Sequence, residues 1–160
     1  MTKLSISNID SVDKKAVGNG DSFEAQVGSF TSLFNMKGLG CSVVELAPGK
    51  KAWPYHLHYG QEELFVVLDG YGTIRFNDEK HAIKPGDIIF TPPGEGTAHQ
   101  IINTSNENLK YLAFSTEENP ELCYYPDSGK YGSYVKIDDG DMKVFLAHES
   151  NKVGYFDGED

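Results

Sequence analysis

Apolar residues in this chain recur with period two rather than 3.6, in short runs cut by turn signals. The runs Cys41–Leu46, Glu63–Leu68, Gly72–Phe76, Asp87–Thr91, His99–Asn103 and Lys110–Ser115 read as strands. Asp69-Gly70, Asn77-Asp78, Pro85-Gly86-Asp87 and Pro92-Pro93-Gly94 are the turns between them. Asp138-Asp139-Gly140-Asp141 reads as another, joining strands at Tyr134–Ile137 and Met142–Leu146. No window longer than about ten residues carries a helical pattern. Short strands at this spacing, without helices between them, predict an all-β sandwich or closed barrel. Residues 1–22 read as a polar arm, and Glu117–Tyr131 as a loop.

A chain of 160 residues, 39% hydrophobic, can bury one core of ordinary size. The expectation is one domain over residues 1–160, with a barrel core at about 40–116, the N-terminal arm 1–22 and a C-terminal extension 117–160. The net charge is −10 and Arg75 is the single arginine. Such a surface repels a phosphate backbone and an anionic membrane, so neither nucleic acid nor membrane is an expected partner. No apolar run approaches the ~20 residues of a membrane span. The opening residues Met1–Ile6 contain no apolar stretch of the secretory kind, which makes the cytoplasm the expected location. Cys41 and Cys123 are not at a metal-ligand spacing and read as reduced, partly buried thiols.

The chemistry lies mid-chain. In His56-Leu57-His58 two imidazoles stand at i and i+2, on one face of a strand. Glu63 opens the next strand, and His99 opens another farther on. Three imidazoles and a carboxylate suit one divalent transition metal, with Zn, Mn, Fe and Ni all compatible. In an octahedral arrangement four protein ligands leave two positions for water or substrate. Any one histidine alone is more readily a satisfied core or surface residue. Their joint placement at strand starts is what points to a site, and His81 and His148 share none of that placement.

The order of these residues resembles the two motifs of the cupin superfamily. Gly49 is followed by six residues, His56-Leu57-His58, four residues, Glu63, six residues and Gly70. Gly86 is followed by five residues, Pro92-Pro93-Gly94, four residues, His99, three residues and Asn103. The fifteen residues between Gly70 and Gly86 match the short spacing of bacterial cupins. Relative to the family pattern there is one extra residue before His56 and two before His99, both in loops. The resemblance implies a double-stranded β-helix, or jelly-roll barrel, with His56, His58, Glu63 and His99 as metal ligands. Leu112–Thr116, Tyr125–Lys130 and Tyr155–Glu159 further resemble a bacterial subgroup of single-domain cupins, some of which carry sugar-phosphate isomerase names.

The cupin fold hosts many chemistries, so the resemblance names no reaction. Trp53, Tyr55 and Tyr59 flank the histidine pair and are candidates to pack on a small polar ligand such as a sugar, or to be ordinary aromatic packing. Glu95, in the loop before His99, is the candidate catalytic base, with a solvated loop carboxylate as the alternative. Arg75 is a candidate anion clamp. The alternation that turns Ile74 and Phe76 inward turns Arg75 outward. The leading expectation is a metal-dependent enzyme on a small polar molecule, with a sugar or sugar-phosphate isomerase as the named candidate. An iron-dependent dioxygenase and a non-catalytic small-ligand module are the alternatives. Iron with oxygen uptake marks the first of these, and a bound sugar without turnover the second. A homodimer is expected, because barrels of this size expose edges, with Phe23–Phe34 as the candidate contact.

Overall fold

The computed structural model describes residues 4–137 and 141–159. The expected all-β architecture forms, as thirteen strands among the described residues with one short α-helix and a 3-10 turn at Glu149–Asn151. A six-stranded sheet runs in the order β1 (Lys15–Asn19), β2 (Phe23–Ser29), β3 (Leu39–Leu46), β10 (Leu109–Thr116), β5 (Glu63–Asp69), β8 (Ile88–Thr91). A three-stranded sheet orders β7 (Glu79–Ile83), β6 (Gly72–Phe76) and β9 (His99–Ile102). A four-stranded sheet orders β13 (Met142–His148), β12 (Lys130–Lys136), β11 (Glu121–Tyr125) and β4 (Leu57–His58). An antiparallel bridge between His56 and His99 joins the last two sheets into one wall. Two walls facing each other make the jelly-roll that the motifs imply.

Alternation builds the core. Phe65 and Val67 of β5 are buried while Leu64, Val66 and Leu68 between them are half-exposed. On β10, Leu109 and Tyr111 are buried and sit opposite Leu46 and Val44 of β3. Ile74 and Ile101 close the cluster from the second wall. Each such side chain contributes roughly 1.5–3 kcal/mol when fully withdrawn from water. At Gly70, φ is +78° and a Cβ would lie 2.1 Å from the Asn108 carbonyl oxygen, so only glycine fits where β5 turns into β6. Asn77 and Asp78 both have positive φ (45° and 66°) and close the β6–β7 hairpin in two residues, as the turn reading anticipated.

The flanks differ from their reading. Residues 15–19 form β1, paired with β2, within the stretch read as an arm. Glu117–Tyr131 is not a loop throughout, because it contains β11 and the start of β12. The misreading has a physical cause. On β11 the charged Glu121 is buried and Leu122 is exposed, so hydropathy runs opposite to burial. The turn read at Asp138–Asp141 falls on residues 138–140, outside the described residues. Phe23–Phe34, the candidate intersubunit segment, forms β2 and the helix α1 (Phe30–Phe34), with Ala25, Gly28 and Phe30 buried in their own chain and Leu33 exposed. Among the described residues no helix is long and apolar enough to cross a membrane.

Candidate metal centre

His56, His58, Glu63 and His99 converge. Their ligating atoms all lie within 4.8 Å of one another. The histidines come from the second wall, by the His56–His99 bridge and by β4, and Glu63 comes from the first, at the start of β5. His81 and His148 lie on β7 and β13, exposed and outside this cluster.

Each imidazole is anchored by its outer nitrogen. His56 Nδ1 donates to the Pro54 carbonyl (2.8 Å) and His99 Nδ1 to the Thr97 carbonyl (3.1 Å). His58 Nδ1 donates to Glu121 Oε1 (3.3 Å). Carbonyl and carboxylate oxygens only accept, so these partners assign a proton to each Nδ1, and an Nε2 carries a lone pair unless its ring is doubly protonated. The Nε2 atoms then face one another and Glu63. The separations are 3.1 Å for His56 to His58, 2.6 Å for His99 to Glu63 Oε2 and 3.4 Å for His58 to Glu63 Oε2. Four lone-pair atoms at these distances repel unless a cation, a metal ion or a proton, lies among them. The donor set therefore fits a divalent transition ion and could hold one.

Burial and the two neighbouring imidazoles push the His56 pKa down to about 3. Burial pushes Glu63 upward, but the His99 hydrogen bond and the three imidazoles outweigh it and hold its carboxyl below the usual range. Stability of the metal-free protein then depends on pH. An unfolded histidine takes up a proton near pH 6.5 and folded His56 does not, so its contribution is complete above 6.5 and is lost as pH falls toward 3. Glu63 acts in the same sense, at lower pH. Chemical denaturation at pH 7.5 and 5.0 is expected to show a loss of up to about 2 kcal/mol, shrinking in His56→Gln. A stability unchanged between those pH values contradicts the burial of a neutral His56.

Other sequence candidates fall elsewhere. Trp53 lines a cavity of about 490 Å³ floored by His56 and His58. Tyr55, expected at the mouth, is buried beneath the Arg75 guanidinium, which stacks 3.6 Å above its ring. Arg75 is held by Asp78 and by both carboxylate oxygens of Asp127. Its Nε, Nη1 and Nη2 are all engaged by these carboxylates, and it is not part of the cavity lining. Tyr59 donates to Glu95 (2.5 Å), and Glu95 is exposed; neither lines the cavity.

The walls come from the C-terminal extension, where β11 falls in the stretch read as loop while Tyr134, Met142 and Leu146 lie on strands that the sequence reading expected. Tyr125, Tyr134, Met142 and Leu146 supply an apolar flank, and Glu117, Glu118, Glu121, Lys130 and Lys136 the polar one. Tyr125 stacks on His56, 6.0 Å between ring centres. Lys136 pairs with Glu117. Cys123, buried, has Sγ 3.3 Å from His58 Nδ1, and burial first, then Glu121 and Glu63, push its thiol up to about 12. The available signal for these residues was Glu121-x-Cys123-x-Tyr125, a period-two pattern between two turns.

Residues 42–115 match the family model described as a cupin domain. A 70-residue stretch is 39% identical to an oxalate-binding protein of Thermotoga maritima, covering 44% of this chain and 55% of that one. A 60-residue stretch is 42% identical to an uncharacterized protein of Methanocaldococcus jannaschii, covering 38% and 46%. The chain spans about half the length of the curated relatives it matches. Among solved structures, a sugar phosphate isomerase from a cupin superfamily, of Silicibacter pomeroyi, superposes with a TM-score of 0.79 at 20% identity, over 96% of this chain and 98% of that one. At that identity the likeness speaks to the fold.

Proposed function

From the premise that this chain belongs to the cupin superfamily, we propose that it is a metal-dependent enzyme acting on a small polar molecule bound above His56 and His58. A sugar or sugar phosphate undergoing isomerisation is the candidate reaction. The observation that carries the reading is the cavity of about 490 Å³ whose floor is two of the four converging ligands. A site with that geometry brings a ligand's oxygens to the ion and its less polar face to Trp53, Tyr125 and Tyr134.

His56, His58 and His99 would hold the ion through Nε2, and Glu63 through Oε2. A bound divalent ion supplies Lewis acidity toward a carbonyl or hydroxyl oxygen. The protein's part is orientation and exclusion of water. Among the described residues, Lys130 is the lining cation with no carboxylate partner within ion-pair distance, which suits a neutral or singly charged ligand better than a dianion. Glu95, tied to Tyr59, needs a loop movement to act as base, so a cavity carboxylate is better placed for proton transfer.

The test is metal analysis of the purified protein, followed by a panel of aldoses, ketoses and their phosphates in deuterated water. Turnover lost on chelation, with deuterium in the product carbon, supports the isomerase reading. Iron content with stoichiometric oxygen uptake replaces it with the dioxygenase reading. The name of the Thermotoga relative favours a second reading, a metal-loaded module that binds a small dicarboxylate without turnover. Tight calorimetric binding of oxalate with no reaction across the panel supports that one.

A homodimer is part of the same proposal. β13 is an edge strand with Met142, Val144, Phe145 and Leu146 exposed, an apolar edge that pairing would cover. Light scattering at micromolar concentration is expected to give twice the 17.7 kDa chain mass, and a monomer mass removes the dimer.

A further inference from the structure

We propose that Glu121 is a positioning residue of the metal centre: its buried carboxylate fixes the Nδ1–H tautomer of His58 and so keeps the Nε2 lone pair on the ion. The inference rests on the metal-binding reading above. It adds to that reading a residue outside both sequence motifs.

Main-chain carbonyls at Pro54 and Thr97 anchor two of the three imidazoles. These come with the loops that carry the histidines, two residues from each ring. His58 has no such partner. It lies on β4, a strand of two residues, and its outer nitrogen faces β11 instead. The β11 register places Cys123 opposite His58, and Glu121 stands two residues earlier on the same strand face. Glu121 is 4% exposed. Its Oε1 accepts from His58 Nδ1 at 3.3 Å and from the Gly60 amide at 3.4 Å, while Oε2 is buried with no partner.

A carboxylate withdrawn from water with half its acceptor capacity unused is costly. His58 is the group that its burial serves. Gly60 makes room for it, since a Cβ there would come within 2.8 Å of Glu121 Oε2. A carboxylate acceptor strengthens the opposite nitrogen as a ligand more than a carbonyl does. Together with Glu63 it also supplies the two negative charges that balance a divalent ion. The Cys123 thiol is the competing partner, at the same 3.3 Å from His58 Nδ1. A neutral thiol is the weaker acceptor, so Glu121 decides the tautomer.

Two readouts test this. In the metal-free protein, ¹⁵N shifts of the imidazoles are expected to show His58 protonated at Nδ1 in the wild type and released toward the Nε2–H form in Glu121→Leu. In cobalt(II) titrations against a competing chelator, Glu121→Leu is expected to bind about 10–100-fold more weakly, with a shifted visible band, and Cys123→Ala within about twofold of wild type. Gly60→Ala displaces the same carboxylate without altering it. It is expected to weaken cobalt binding several-fold, and it carries the test if Glu121→Leu does not fold. A wild-type His58 protonated at Nε2, or unchanged cobalt affinity in both variants, overturns the proposal while leaving the metal reading intact. So does a loss seen in Cys123→Ala instead. A wild type that binds no cobalt overturns both.

Discussion

Saturating the protein with its divalent metal is expected to raise the midpoint of thermal unfolding by about 10 °C, and His58→Ala is expected to erase the rise. An ion at a thousand times its dissociation constant, bound by the folded state alone, stabilises by about 4.1 kcal/mol. A chain of this length shifts by about 2–4 °C per kcal/mol. The unfolded chain cannot hold the ion as well, because the four ligands are drawn from two facing walls that exist only when folded. His58→Ala removes one Nε2 and strands the Glu121 carboxylate. The barrel itself should survive, since the buried neighbour on β4 is Leu57. Calorimetry of wild type and variant, with metal and with chelator, reads the effect. A wild-type midpoint indifferent to every transition metal tried would sink the metal centre.

Asn103→Ala should cost about 3 kcal/mol, a drop of roughly 6–12 °C in the midpoint. Asn103 is wholly buried. Its amide donates to the Leu46 carbonyl (2.8 Å) and the Glu107 carbonyl (2.7 Å), and its oxygen accepts from the Ser105 amide (3.0 Å) and hydroxyl (2.9 Å). Its main chain also exchanges bonds with Gly49 and Lys50. The side chain thus ties the end of β3 to the loop leading into β10. Alanine removes all four bonds, of which the one to Leu46 is fully buried, at about 1–3 kcal/mol for each group left where water cannot reach. Urea denaturation giving less than about 1 kcal/mol would show that the turn holds without the side chain.

The metal cluster was legible because its members announce themselves locally. His58 lies on β4 and His56 in the bridge just before it, while Glu63 and His99 each open another strand, so short-range spacing carried the information. Asn103 was visible as a motif member, but its four hydrogen bonds were not. The rim was harder to read. Trp53 and Tyr55 both flank the histidine pair in sequence, and nothing in the sequence tells their two fates apart. Trp53 reaches the cavity and Tyr55 lies under Arg75. The walls were hidden for a different reason. Glu121 meets His58 only through a strand pairing across 63 residues of chain. Its own strand buries a glutamate and exposes a leucine, so hydropathy concealed both the strand and its role.

The bridge and β4 hold the histidines within residues 42–115, whereas Tyr125, Tyr134, Met142 and Leu146 shape the cavity from outside that stretch. The four converging ligands thus lie within the matched stretch, and much of the cavity wall lies beyond it. Mutations in β11–β13 can redraw what enters without disturbing the four converging ligands, so long as Glu121 stays. A relative that shares only the matched stretch would share the four ligands without these walls. Grafting this chain's β12–β13 hairpin onto such a relative would accordingly carry part of the cavity wall across.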